Sequence, residues 1–230
     1  MPPPSTPFLQ KYAPKAFSDL VFANDKQEAI VRTWAHNASL QPLLFHGPPG
    51  IGKTSVAKVC ANELYGGMHS SNVKHFSADE GITTPVLRDL FDEFAGSAPL
   101  PTDQAAHRLM IIDEVESLKR GVQKSVKGLL DKYSSNCHFI FTTNEIKKID
   151  SAVENRCHVI EFVPPDAGKW LPRIKYVLEA EKVRASSDEK WRMFVAQRNG
   201  NGRNLLRELE QYVYGAEEYE AKSSSTVRKR

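Results

Sequence analysis

Cysteine is scarce in this chain of 230 residues: there are three, Cys60, Cys137 and Cys157, an odd number without paired spacing. No disulfide framework or zinc site is indicated, and a reduced, cytosolic protein is expected. Long apolar runs are missing too, since none approaches the ~20 residues a membrane span needs. The opening Met-Pro-Pro-Pro-Ser-Thr-Pro-Phe has neither the basic start nor the apolar stretch of a secretion signal. There is little excess of charge: 31 basic against 28 acidic residues give +3. A sum that small names no partner, because clustering on one face, not the total, makes a surface for nucleic acid. Internal repeats are absent. The remainder, 40% hydrophobic and 26% charged, is a globular composition and excludes a disordered or collagenous chain.

Apolar spacing divides the chain into alternating elements. Residues 1–10 are expected to be flexible, because proline lacks the amide donor and disfavours helix in the residue before it. Asp25 to Ala35 carries Ala29, Ile30 and Trp34 at helical spacing, with Asn24 or Asp25 as a cap. Leu43-Leu44-Phe45 predicts a strand, and Val56, Val59, Cys60 and Leu64 predict a helix that stops at Gly66-Gly67. Val73–Ser77, Leu109–Ile112, Phe139–Thr142 and Val159–Phe162 predict further strands, with helices over Pro85–Phe94 and Val122–Tyr133. Gly96–Ala105, rich in Gly, Pro, Ser and Thr, predicts a surface loop. Strands alternating with helices mean an α/β fold: a five-stranded parallel sheet flanked by helices. After Pro164-Pro165 only helical patterns follow, around Trp170–Lys182, Asp188–Arg198 and Asn204–Ala221. The expected organisation is therefore a core over 11–164, a small helical lid over 165–222 and a flexible basic tail over 223–230 ending Arg228-Lys229-Arg230.

Chemistry is concentrated in two motifs. Gly47-Pro48-Pro49-Gly50-Ile51-Gly52-Lys53-Thr54 fits G-x-x-x-x-G-K-[ST] between a predicted strand and a predicted helix. In that context the amides of the loop and of the helix start, through Ser55, surround phosphate oxygens. Lys53 supplies a charge at the terminal phosphates of ATP, and the Thr54 hydroxyl is a ligand for Mg²⁺. The strand Leu109–Ile112 ends in Asp113-Glu114, which delivers two carboxylates to the edge of the sheet where α/β folds bind ligands. Asp113 is expected to hold the metal through water, and Glu114 to activate the attacking water.

Together with a later strand ending in Asn144 and a helical lid, these features resemble the AAA+ ATPases. More narrowly, several segments are similar to the clamp-loader group, the replication factor C small subunits and especially their T-even phage type. They are Lys11-Tyr12-Ala13-Pro14 with Phe17 and Leu20, Val86-Leu87-Arg88 leading to Phe94-Ala95, and Glu114–Tyr133 with the Ser134-Ser135-Asn136-Cys137 that follows. Asn155-Arg156-Cys157 stands where the family carries Ser-Arg-Cys, and Gly202-Arg203 where it carries a lid arginine. The resemblance covers about residues 8–215 and implies a phage or mobile-element origin as one possibility. It makes Asn144 the sensor that positions the lytic water, Arg156 an arginine finger reaching a neighbouring subunit's ATP, and Arg203 a second sensor coupling the lid to nucleotide. DNA backbone would meet two helix starts, at Thr84 and Arg88 and at Lys124 and Lys127. A solvated helix face explains these cations equally well.

The implied function is an ATPase that opens a sliding clamp, or acts on another replication protein, and places it on DNA as part of a homo- or hetero-oligomer. Two other readings stay open: an AAA+ regulator that assembles on DNA, as in transposition targeting, and a protein remodeller. The remodeller is disfavoured because the segment between Ser77 and Pro85 holds only Ile82 and no aromatic residue. The sequence departs from the family at Ala13, Asn155 and near Ser151, and the family's helical collar domain has no counterpart in it. That leaves either a shortened chain or assembly through the AAA+ modules alone.

Overall fold

The computed structural model describes residues 6–66, 70–78, 81–100 and 106–227, with side chains through residue 215. Gly67, the loop residues 101–105 and the basic Arg228-Lys229-Arg230 lie outside the described residues. Two compact units divide the chain. One comprises 14–20 and 24–163, the other 1–13, 21–23 and 164–230.

The larger unit is an α/β sheet domain. Strands β1 (Leu43–His46), β2 (Val73–Ser77), β3 (Arg108–Asp113), β4 (Cys137–Thr143) and β5 (His158–Glu161) form one parallel sheet in the order β2-β3-β4-β1-β5. Helices α2 (Asp25–His36), α3 (Lys53–Tyr65), α4 (Thr84–Phe94), α5 (Arg120–Tyr133) and the short α6 (Ser151–Glu154) join and cover the strands. Strands covered on both faces read as unbroken apolar runs. Accordingly, Leu43, Leu44, Phe45, Leu109, Met110, Ile111, Ile112, Phe139, Ile140 and Phe141 are all fully buried. Each such side chain contributes roughly 1.5–3 kcal/mol of transfer free energy. Asn24 caps α2 by accepting the Gln27 amide at 2.8 Å. Gly66, at φ +68°, closes α3 in a left-handed conformation that disfavours a side chain.

Register decides what meets at the C-terminal edge of the sheet. Ser77 pairs with Asp113, Ile112 with Phe141, and His46 with Thr143. The ends of β1, β2, β3 and β4 are therefore level, and their next residues share one rim.

The smaller unit packs α7 (Ala167–Ala180), α8 (Asp188–Ala196) and α9 (Gly202–Val227) with a short α1 (Phe8–Lys11). Asp166 caps α7 through the amides of Gly168 and Lys169, and Ser187 caps α8. The core of this unit holds Phe8, Tyr12, Trp170, Ile174, Val177, Leu178, Trp191, Leu205, Leu209 and Val213. Three expectations are corrected here. Residues 8–10 are not a flexible leader, because Phe8 is fully buried and stacks edge-on against Tyr12. Lys11 and Tyr12, assigned to the sheet domain, both bond Glu181 and belong with the helices. At the other end, α9 continues to Val227, so residues 223–227 are helical. Once a helix is formed, each further residue adds a bond at little cost.

Candidate nucleotide site

The site begins with a loop that only glycine can shape. Gly47, Gly50 and Gly52 have φ of +144°, +80° and +102°. A Cβ on Gly47 would lie 2.0 Å from the Phe162 carbonyl oxygen, so that approach excludes any side chain. Around Gly52 a Cβ would meet nothing within 4 Å, so open space faces the loop. No side chain caps α3, which leaves its leading amides directed at that space. Pro48 and Pro49 are exposed on the loop, whereas Ile51 is buried and pins it. Thr54 and Ser55 follow on the first turn of α3.

Lys53 is 7% exposed and folds back into the loop. Its Nζ donates to the carbonyl oxygens of Gly47 (2.6 Å) and Pro48 (2.8 Å) and to Asn144 Oδ1 (2.9 Å). An ammonium has three N–H donors, and these are three oxygens. Phosphate oxygens can replace them.

Asp113 is held from three sides. Its Oδ1 accepts the hydroxyls of Thr142 at 2.8 Å and Thr54 at 3.1 Å, and its Oδ2 meets His75 Nε2 at 2.7 Å. Burial opposes charge at Asp113. The bonds from His75, Thr142 and Thr54 outweigh it and hold the carboxyl below the usual carboxylate range. Glu114 adopts the left-handed conformation, φ +57°, ψ +44°, which is uncommon for a side-chain-bearing residue. Its amide donates to Thr142 Oγ1 at 3.2 Å, so one buried hydroxyl supports both carboxylate residues. The Asn144 amide donates to Glu116 Oε1 at 2.8 Å, which fixes the turn that presents the Asn144 side chain.

An oxygen-seeking divalent cation fits this donor set. Thr54 gives its proton to Asp113 and keeps its oxygen lone pairs for a cation, while Asp113 stays ionised and can accept from metal-bound water. Among the described residues no cluster of three or more His, Cys, Asp or Glu forms a metal cage.

The structure thus brings Gly47–Ser55, Asp113, Glu114 and Asn144 to one rim. It does not bring Arg156 there. Arg156 makes a two-pronged ion pair with Asp131 of α5, Nε to Oδ1 at 2.6 Å and Nη2 to Oδ2 at 2.9 Å, and Nη1 donates to the Ala152 carbonyl. Arg203, in the first turn of α9, is exposed. Thr84 opens α4 and is half-buried, while Arg88, Lys124 and Lys127 are exposed on α4 and α5. Neither helix start has a side-chain cap. His75, Thr142 and Glu116 were not singled out from the sequence. Only the Thr-Thr preceding Asn144 hinted at one of them.

Residues 43–165 match the family described as ATPase family associated with various cellular activities (AAA). Replication factor C small subunit 1 of Pyrobaculum islandicum is 30% identical over 181 residues, which cover 79% of this chain and 54% of that protein. Replication factor C subunit 5 of Arabidopsis thaliana is 30% identical over 212 residues, covering 91% and 57%. These relatives are archaeal and plant proteins and lend no weight to a phage origin. The chain spans about half the length of the curated relatives it matches. Among solved structures, the RuvB Holliday junction branch migration motor of Thermotoga maritima superposes with a TM-score of 0.67 at 17% identity, over 87% of this chain and 64% of that one, a likeness of fold. No helix among the described residues is long and apolar enough to cross a membrane. With the family match spanning the loop, both carboxylates and Asn144, the chain belongs to the AAA family of ATPases.

Proposed function

We propose that this chain is an ATPase module of the clamp-loader kind. It would bind Mg²⁺-ATP at the rim of its sheet and use hydrolysis to act on DNA together with a DNA-bound protein such as a sliding clamp. The observation that carries the reading is the join between three strand ends: Lys53 after β1 bonds Asn144 after β4, and Thr54 bonds Asp113 at the end of β3. The loop amides and Lys53 hold the phosphates, Thr54 and Asp113 hold the cation, and Mg²⁺ when bound neutralises charge on the phosphates. Glu114 takes a proton from water oriented by Asn144. Arg156 acts on a neighbouring chain's nucleotide and Arg203 reports nucleotide to the helical unit. In support of the first role, Arg156 is held among the described residues by the half-exposed Asp131 and the Ala152 carbonyl, with its own side chain 29% exposed. Arg88, Lys124 and Lys127, with the uncapped starts of α4 and α5, suit phosphates without reading bases.

Native mass spectrometry with a non-hydrolysable ATP analogue, with and without primer–template DNA, tests this reading. A clamp-loader module gives a defined oligomer whose formation DNA promotes. A chain that stays monomeric in both conditions contradicts it. Long arrays whose size tracks DNA length would favour the regulator that assembles on DNA.

A further inference from the structure

His75 is a strand residue outside every recognised motif. It lies on β2, the edge strand beside β3, and its Nε2 is 2.7 Å from Asp113 Oδ2. The two side chains are 27% and 11% exposed. An ionised carboxylate only accepts hydrogen bonds, so Nε2 carries the hydrogen and His75 is the donor.

The geometry gives that bond a task. Thr54 and Thr142 both donate to Oδ1, and two bonds to one oxygen leave the carboxylate plane free to turn about it. A bond to the second oxygen fixes the plane. It also keeps Oδ1 turned toward Thr54, whose hydroxyl is the neighbouring candidate for the cation. The three anchors arrive from different elements: His75 from β2, Thr142 from β4 and Thr54 from α3. Removing His75 leaves the carboxylate in place but able to rotate.

We infer that His75 is a positioning residue for the cation site: it sets the orientation of Asp113 and so the gain in nucleotide affinity that Mg²⁺ provides. This rests on the proposed Mg²⁺-ATP reading and extends it to a residue outside the phosphate loop and the two carboxylates, bonded to Asp113. Partners that orient a metal-binding group typically contribute 10–100-fold in metal affinity or activity.

The test is binding rather than turnover. The affinity of the full chain for N-methylanthraniloyl-ADP is measured by fluorescence in Mg²⁺ and in EDTA, and the ratio is compared between variants. His75→Ala is expected to shrink the ratio by about tenfold while leaving the affinity in EDTA unchanged. His75→Gln, whose amide nitrogen reaches about as far as Nε2, should restore most of the ratio. If the Ala chain melts below the assay temperature, His75→Asn replaces it, being polar but too short to reach Oδ2. A wild-type ratio in His75→Ala or His75→Asn overturns the inference while leaving the ATPase reading intact. Equal losses in Mg²⁺ and EDTA, unrescued by Gln, also overturn it, because they show a tie that only stabilises the edge strand. Should the wild-type chain bind no nucleotide, the ATPase reading fails and the inference falls with it.

Discussion

At the N-terminal edge of the sheet His138 is 2% exposed, its ring lies between Trp34 and His107, and its Nδ1 bonds the Ser39 carbonyl at 2.9 Å. At the C-terminal edge Asp113 is 8% exposed and accepts from His75, Thr54 and Thr142. Burial opposes charge at both. It wins at His138, pushing the imidazole down to about 4 despite the bond to Ser39, with His107 adding to the fall. It loses at Asp113, where donors from three elements favour the carboxylate. One sheet therefore has an edge that rejects charge and an edge built to keep it. Only the second can serve chemistry that needs an anion beside a cation.

The contrast can be broken or sharpened in four ways, taken from the largest effect down. Glu114→Gln removes the proposed base at the charged edge, so turnover should fall about 10³-fold with ATP binding retained. Phosphate release and a binding titration on one sample check it, and undiminished release would remove Glu114 from the chemistry. His138→Asn tests the other edge. Because the folded imidazole resists protonation, stability drains away as pH falls from about 6.5 and levels below about 4, a loss of roughly 3 kcal/mol. The Asn variant, with a donor for Ser39 but nothing to protonate, should flatten a urea-unfolding profile over that window. An unchanged slope would mean another group sets it.

Lys53→Ala comes next: losing charge-assisted bonds to phosphate should weaken ATP by about 100-fold. Thr142→Val is the mildest and most diagnostic. It takes one donor from Asp113 and the acceptor from the Glu114 amide, and about 1–3 kcal/mol of stability goes with a buried unpaired group. A depressed carboxylate contributes stability above its unfolded value and loses it as pH falls through the folded one. With weaker support for the anion, the acid loss due to Asp113 should be smaller in the Val variant and complete at higher pH, as tracked by thermal melts across the acid range. An acid limb that does not move would show that His75 and Thr54 suffice.

Which features could be read from the sequence follows from how far apart their parts lie. The phosphate loop is one contiguous stretch whose glycines and Lys-Thr pair are local requirements, and Asp113-Glu114 ends its own apolar strand. The strands were legible because burial on both faces leaves runs such as Leu109–Ile112. His75, Thr142 and Glu116 matter through partners 38, 29 and 28 residues away, and apart from the Thr-Thr before Asn144 nothing in their own neighbourhoods marks them. Phe8 looked like part of a Pro-rich leader because, apart from Tyr12, the side chains of its core cluster lie on distant helices of its unit. Arg156 could be placed as a functional arginine by resemblance, but its grip on Asp131 is a tertiary fact.

That grip leaves the central claim, an ATPase whose site is completed by a neighbouring chain, open to one direct measurement. Lys53→Ala and Arg156→Ala chains are prepared separately and mixed under conditions in which subunits exchange, and phosphate release is followed. Each alone should be nearly inactive, since a finger supplied in trans contributes about 10³ or more to the rate. The mixture should recover measurable activity, because an intact Lys53 site can then face an intact Arg156. A mixture as inactive as its parts, with both variants still assembling, would contradict the account.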